Sequence, residues 1–326
     1  MRALFLCAAL LCSVAFTAAG QPIELTDHRG RQVSLPQPAS RIVSTYLPST
    51  LFSLSLGLEQ QLVGIGQSDR QQRFVDQLLG EHDPIAVGSR TAGLNLETIV
   101  ALQPDLVLMH DKKDGIRLAA MLEQLGLAVL LVKAETLEEV DATLGMIATA
   151  TGRQAQAQRV RQANLTLRNE LEQRLQGVAP RHRSYYVKRD DLFSTASGEM
   201  YQHQMLQLAG LTNVAADLRG FFPKVDAEQL LRWQPQLLVI EDDGLNRPQR
   251  QLQHAGVVPL RQLPQLTLPA DSLWSMPSPF ALAGAYYLAS QAYPQRFATA
   301  QDQNVLADYY QQIFNRTDLL PKALWP

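Results

Sequence analysis

The spacing of apolar and polar residues divides the chain into three regimes. From Ala3 to Ala19 no residue is charged, and Leu4, Phe5, Leu6, Leu10, Leu11, Val14 and Phe16 crowd together behind the cation Arg2. A positive start, an apolar run and small residues from Thr17 to Gly20 have the three-part layout of an export signal, with cleavage expected after Ala19 or Gly20. A membrane anchor is the weaker reading, because the run falls short of the ~20 apolar residues a spanning helix prefers. The second regime alternates. Residues 23–36 read as two alternating strands around a polar turn containing Gly30, a hairpin. Short apolar runs follow at 41–45, 62–66 and 84–88, each succeeded by a helical pattern such as Leu51–Leu58, which stops at Gly57. Strands that alternate with helices predict a mostly parallel sheet with covering helices.

The same grammar returns later in the chain. Asn95-Leu96-Glu97 opens a short helix that leads through Gln103-Pro104 into the apolar run Leu106–Met109, and Asp226-Ala227-Glu228 leads through Gln234-Pro235 into Leu237–Ile240. The two glutamates and the two prolines are each 131 residues apart. Proline ends a helix, and an apolar run behind it suits a strand buried on both faces. So long a period indicates two duplicated lobes and not a solenoid. The third regime lies between them. Thr151–Leu175 is polar, rich in Ala and Gln, and carries apolar residues only at Val160, Leu165, Leu167, Leu171 and Leu175 apart from its alanines. That predicts one long helix with a narrow apolar stripe, ended by Gly177 and Pro180 and running across the back of both lobes. The expected organisation is a signal peptide over 1–20, an N-terminal lobe over 21–150, the connecting helix over 151–180 and a C-terminal lobe over 181–326.

Composition adjusts this picture in three ways. With 46% hydrophobic and 18% charged residues among 326, the chain can fill a sizeable core. A formal net charge of −2 gives no electrostatic footprint for nucleic acid. The only cysteines, Cys7 and Cys12, fall inside the leader, so the remainder has no disulfide, thiolate ligand or cysteine nucleophile. Cys12 follows Leu11 where a lipoprotein site requires a small residue, which favours an unanchored product. No Gly-x-Ser-x-Gly elbow or His-Glu-x-x-His motif is present, Ser197-Gly198 lacks the elbow pattern, and Gly64-Ile65-Gly66 is only a fragment of a dinucleotide fingerprint. No catalytic constellation, cofactor or side-chain metal centre is therefore expected. The sequons at Asn164 and Asn315 carry no weight.

Several stretches, in this order and spacing, resemble one family. They are Thr26-Asp27, Gly30-Arg31, Leu35-Pro36 and Arg41-Ile42-Val43; the Asn95-Leu96-Glu97 and Pro104-Asp105-Leu106-Val107 pair; the long central helix; and Gln207–Ala215. The chain resembles the periplasmic binding proteins for iron–siderophore, haem and cobalamin-type complexes, the helical-backbone class serving ABC importers. The resemblance implies an α/β fold of two Rossmann-like lobes with mostly parallel sheets, joined by one long backbone helix. It implies a periplasmic monomer that holds a small-molecule metal chelate in the inter-lobe cleft, an iron–siderophore first, with cobalamin, haem or a metal oxyanion behind. It also implies docking on the permease of an ABC importer through one acid per lobe, here Glu97 and Glu228. Haem-binding members tend to carry a tyrosine ahead of the first-lobe Glu helix. Residues 88–93 have none, so haem ligation of that kind is not expected.

Ligands of open parallel sheets bind beyond the carboxyl ends of the strands. That rule selects loops near residues 46, 67–69, 89–90, 110–112, 189–191, 197–201, 241–243 and 274–276. Within them Tyr46 could stack on a ligand or hydrogen-bond it, and Tyr201 and Trp274 could form an aromatic wall opposite. Arg90 and Arg189 could pair with an anionic group, and His110 could approach a metal. Met276 completes the expected ligand-binding set.

Overall fold

The computed structural model describes residues 21–89, 93–179, 182–242, 245, 247–253, 255–297 and 302–321. The expected signal peptide and Arg90 lie outside the described residues. The chain opens with the antiparallel hairpin β1 (Ile23–Thr26) and β2 (Gln32–Leu35), in register Leu25↔Val33. Its turn is held from inside. Asp27, buried, accepts the backbone N–H groups of Arg29 and Arg31 at 2.8 and 3.0 Å and pairs with the Arg31 guanidinium at 2.7 Å. Gly30 takes φ +77°, a left-handed conformation that a side chain would strain.

The first lobe then runs β3 (Ile42–Ser44), α1 (Leu47–Ser55), β4 (Leu62–Ile65), α2 (Arg73–Leu79) and β5 (Ile85–Ala86). A small antiparallel ribbon, β6 (Gly88–Ser89) with β7 (Gly93–Leu94), leads into α3 (Leu96–Ala101). After it come β8 (Leu106–His110), α4 (Lys113–Gln124), β9 (Val129–Val132) and α5 (Leu137–Thr151). Five strands form one parallel sheet in the order β5-β4-β3-β8-β9. The first four residues of β8 and all four of β9 are buried, which is why both read as unbroken apolar runs; His110 closes β8.

The second lobe contains β10 (Arg183–Val187), α7 (Tyr201–Leu208), β11 (Thr212–Asn213), α8 (Ala227–Trp233), β12 (Leu237–Glu241), α9 (Arg247–Gln251), β13 (Gln265–Leu268), α10 (Leu282–Ala292) and α11 (Asp302–Phe314), α6 being the connector described below. Its sheet is parallel, in the order β11-β10-β12-β13. The repeat survives in detail. Asn95 caps α3 by accepting the Thr98 N–H, and Asp226 caps α8 by accepting the Gln229 N–H. Gln103 and Gln234 then both adopt left-handed φ, 47° and 48°, one residue before the matched prolines.

Two expectations about the connector need correction. α6 spans Gln154–Arg174, not Thr151–Leu175, because Gly152 (φ 69°) closes α5 in a left-handed C-cap and Arg153 flanks the new helix. Its buried stripe is Ala157, Val160, Ala163, Leu167 and Leu171, whereas Leu165 is 51% exposed. Two alanines share that stripe with one valine and two leucines, on the face where α5, α10 and α11 pack. The side-chain amide of Gln156 ties both halves to α6, donating to the Ser55 carbonyl at 3.1 Å and the Ile313 carbonyl at 2.8 Å.

The lobes also meet directly. Phe74 of α2 stacks on Phe280 at 4.8 Å and meets Phe314 edge-on at 5.4 Å. Arg73 pairs with Asp271 at 2.7 Å, and Gln204 of α7 accepts the Leu137 N–H at the start of α5 at 2.7 Å. Among the described residues no helix is long and apolar enough to cross a membrane.

Candidate functional site

In each sheet the strand order reverses once, between β3 and β8 in the first and between β10 and β12 in the second. The carboxyl ends flanking such a reversal leave an unfilled crevice, because the following chain departs in opposite directions. Both crevices open on one cavity of about 470 Å3 between the lobes. That volume lies in the range of small-molecule sites.

Tyr46 follows β3 and caps α1 in an extended conformation, with Leu47 and Pro48 beside it on the cavity wall. Its ring meets the His110 imidazole edge-on at 5.6 Å, and its hydroxyl donates to the Val132 carbonyl at 3.3 Å. Burial, then the nearby Asp111 and Glu135 carboxylates, push its pKa up, so the phenol stays protonated. His110 ends β8. Its Nδ1 accepts the Lys112 N–H at 3.2 Å, and its Nε2 stands 3.8 Å from Asp114. Helix α4 crosses closely here: a Cβ on Gly115 would come within 2.1 Å of the His110 carbonyl oxygen, so only glycine fits. The N-terminal hairpin reaches the same rim, where Arg29 donates to the Asp111 carbonyl at 2.8 Å and pairs with its carboxylate at 3.5 Å.

The opposite wall is built around Glu241, the last residue of β12. This buried carboxylate accepts from the Ser275 hydroxyl at 2.8 Å, the Tyr186 hydroxyl at 3.2 Å and the Arg189 Nε at 3.1 Å. Lys188 pairs with Asp190 at 2.7 Å and holds that carboxyl below its usual range. In the first lobe Lys112 pairs with Glu135 and Lys133 with Glu139. Among the described residues four cations thus border the cavity, two from each lobe. Phe221 and Phe222 supply its apolar side, with rings edge-on at 4.8 Å. Lys112 lies over the Phe221 ring at 5.4 Å, a contact that crosses the cleft, and Lys188 lies over Phe222 at 5.8 Å.

Of the residues expected from sequence, the structure brings Tyr46, His110, Arg189 and Met276 to this cavity. Tyr201 touches it, but its hydroxyl is committed to the Trp274 and Ala281 carbonyls at 3.1 and 2.8 Å. The expectation for Trp274 is corrected. The indole is fully buried behind the wall, with Nε1 donating to the Tyr310 hydroxyl at 2.8 Å, and it does not line the cavity. The aromatic wall is instead Phe221–Phe222. Its sequence signal was two adjacent aromatics between Gly220 and Pro223, and Phe221 is 66% exposed. Glu97 and Glu228 occupy the same position in the first turns of α3 and α8, exposed and outside the cavity lining, Glu228 paired with Arg232 four residues on. Among the described residues no three His, Cys, Asp or Glu side chains cluster to hold a metal ion.

The sequence profile of the periplasmic binding protein family matches residues 42–254. The chain belongs to that family. Its relatives are substrate-binding proteins, not enzymes. The molybdate-binding protein MolA of Haemophilus influenzae is 26% identical over 97% of each chain. The vitamin B12-binding protein of Salmonella typhimurium is 36% identical over 45% of this chain and 55% of its own. Among solved structures, MolA bound to molybdate superposes with a TM-score of 0.76 at 23% identity, covering 90% of this chain and 98% of that one. The Helicobacter pylori protein CeuE in its Ni–His complex gives 0.77 at 18% identity, covering 93% and 98%. At such identities the two superpositions speak to the fold: two lobes of parallel sheet and covering helices, joined by a long helix.

Proposed function

We propose that this periplasmic binding protein captures a multiply charged, metal-containing anion in the inter-lobe cavity and delivers it to an ABC importer. One observation carries the reading. Lys112, Lys133, Lys188 and Arg189 converge from both lobes on a cavity that also offers a protonated phenol and an aromatic pair. Ammonium and guanidinium groups recognise anionic oxygens, and the rings suit the apolar faces of an organic chelate. An anionic ferric chelate of the siderophore kind fits that combination. An oxyanion such as molybdate is the second reading, favoured by the likeness to MolA along 97% of the chain. Export through a cleaved leader over residues 1–20, lobes at 21–150 and 181–326 around the connector at 151–180, and action as a monomer belong to the same proposal. So does docking through Glu97 and Glu228, which project from equivalent helix starts.

Isothermal titration with molybdate, tungstate, ferric tris-catecholate, cobinamide and haemin tests the cargo. One of the anions should bind one-to-one at micromolar affinity or tighter. Binding of cobinamide or haemin alone overturns the anionic reading. The double variant Glu97→Ala, Glu228→Ala should abolish import with ligand affinity intact, and lost affinity would refute the docking assignment.

A further inference from the structure

Each of the four cations lining the cavity among the described residues is already answered by a carboxylate of its own lobe. The four pairs are not alike. Glu241 is buried and also accepts from Tyr186 and Ser275, so Arg189 has a fixed seat. Glu139 accepts the Glu135 backbone N–H at 2.8 Å besides the Lys133 ammonium. Glu135 and Asp190, by contrast, each accept from one side chain, Lys112 and Lys188 respectively. These two pairs stand open to solvent, with side-chain exposures of 47% and 29% in the first and 34% and 44% in the second. Open, single-contact ion pairs hold weakly. Lys112 belongs to the first lobe and Lys188 to the second, and each rests on one ring of the Phe221–Phe222 pair. Each ring is thus placed to attract its ammonium group independently of the carboxylate.

We infer that Glu135 and Asp190 are resident counter-ions that the cargo displaces, and that they restrict the site to anions carrying at least two negative charges. The inference rests on the anionic-cargo reading and sharpens it. A dianion replaces two carboxylates at once and leaves both ammonium groups paired. A monoanion has one charge to set against two resident competitors, so one lysine stays with its carboxylate or loses half its attraction. Because the two lysines come from different lobes, the ligand that takes both also ties the lobes together. Arg189 and Lys133 keep their own partners throughout.

The test is isothermal titration with molybdate, ferric tris-catecholate and perrhenate, a monoanion with the tetrahedral shape of molybdate. The wild type should bind molybdate or the ferric chelate and bind perrhenate far more weakly. Glu135→Gln and Asp190→Asn should each tighten the bound dianion or trianion about two- to fivefold, and together about tenfold. Glu172→Gln, which removes the same charge from α6, should change nothing, separating local exchange from net charge. If Glu135→Gln fails to fold, Asp190→Asn alone carries the same test. A double variant that melts like the wild type and binds no more tightly overturns the inference, as does a wild type that takes perrhenate as readily as molybdate. A wild type that binds none of the three anions overturns the cargo reading and this inference with it.

Discussion

Asp69 is a buried acid beneath the site, and it links stability to pH. Its carboxylate is 2% exposed and accepts the Thr50 hydroxyl at 2.6 Å. Thr50 in turn lies 2.8 Å from the Ser44 hydroxyl, Ser44 lies 2.7 Å from Ser49, and Ser49 donates to the Tyr46 carbonyl at 2.9 Å. Burial raises the Asp69 pKa from 3.8 to about 6, and the hydrogen bonds from Thr50 and the Gly66 backbone recover only part of the shift. A raised acid is proton-hungry in the folded state. Its contribution is therefore full below pH 3.8, falls as pH climbs toward about 6, and above that becomes a constant penalty. At 1.36 kcal/mol per pH unit the gap sets a ceiling of about 3 kcal/mol. Asp69→Asn keeps the shape and the acceptor for Thr50 but removes the charge. Its unfolding free energy relative to wild type, from urea titrations at a series of pH values, should rise by about 1–3 kcal/mol between about pH 3.5 and about pH 8. Other titrating groups cancel in that difference. A difference that stays flat across the range would refute the assignment of the buried charge.

The other predictions concern packing. Phe74→Ala opens a hole in the aromatic cluster joining the lobes and should cost about 3–5 kcal/mol in urea unfolding; a loss under about 1 kcal/mol would mean that the lobes are joined elsewhere. On α6, Leu167→Ala should cost about 2–5 kcal/mol while Leu165→Ala changes stability by about 0.5 kcal/mol or less, reversing the equal weight their sequence positions suggest. Trp274→Phe strands the Tyr310 hydroxyl and should destabilise by about 1–3 kcal/mol with ligand affinity unchanged; a marked loss of affinity in calorimetry would restore Trp274 to the binding wall.

What could be read from the chain was whatever a local pattern encodes. Buried strands announce themselves as apolar runs, and the starts of α3 and α8 carry their caps and acids in plain sequence. The end of α5 at Gly152 was legible in principle, but the polar, alanine-rich stretch flows across it and hides the break. Leu165 and Leu167 look equivalent until the helix phase is fixed by the partners that α6 meets, and no local signal supplies those. The site divides the same way. The rule about strand ends located Tyr46, His110 and Arg189. It also flagged Asp69, which the fold turns inward beneath α1. Trp274 and the Phe221–Phe222 pair exchange roles because side-chain direction depends on long-range packing: the indole finds a hydroxyl inside, while the two phenylalanines project from a loop between Gly220 and Pro223.

The repeat explains why one fold can hold so unsymmetrical a site. Leu106–His110 and Leu237–Glu241 begin 131 residues apart and are both five-residue strands at the reversal of their sheets. Their first four positions pair Leu with Leu, Val with Leu, Leu with Val and Met with Ile, and all are buried. Burial between helices on both faces admits only apolar side chains there. The fifth position escapes that constraint because it meets the cavity. One lobe places His110 there, under the phenol of Tyr46, and the other places Glu241, which seats Arg189. Equivalent backbone ends thus aim different chemistry at a single space. A ligand that satisfies both must reach from one strand end to the other, adding to the contacts that already join the lobes at Phe74–Phe280 and Arg73–Asp271.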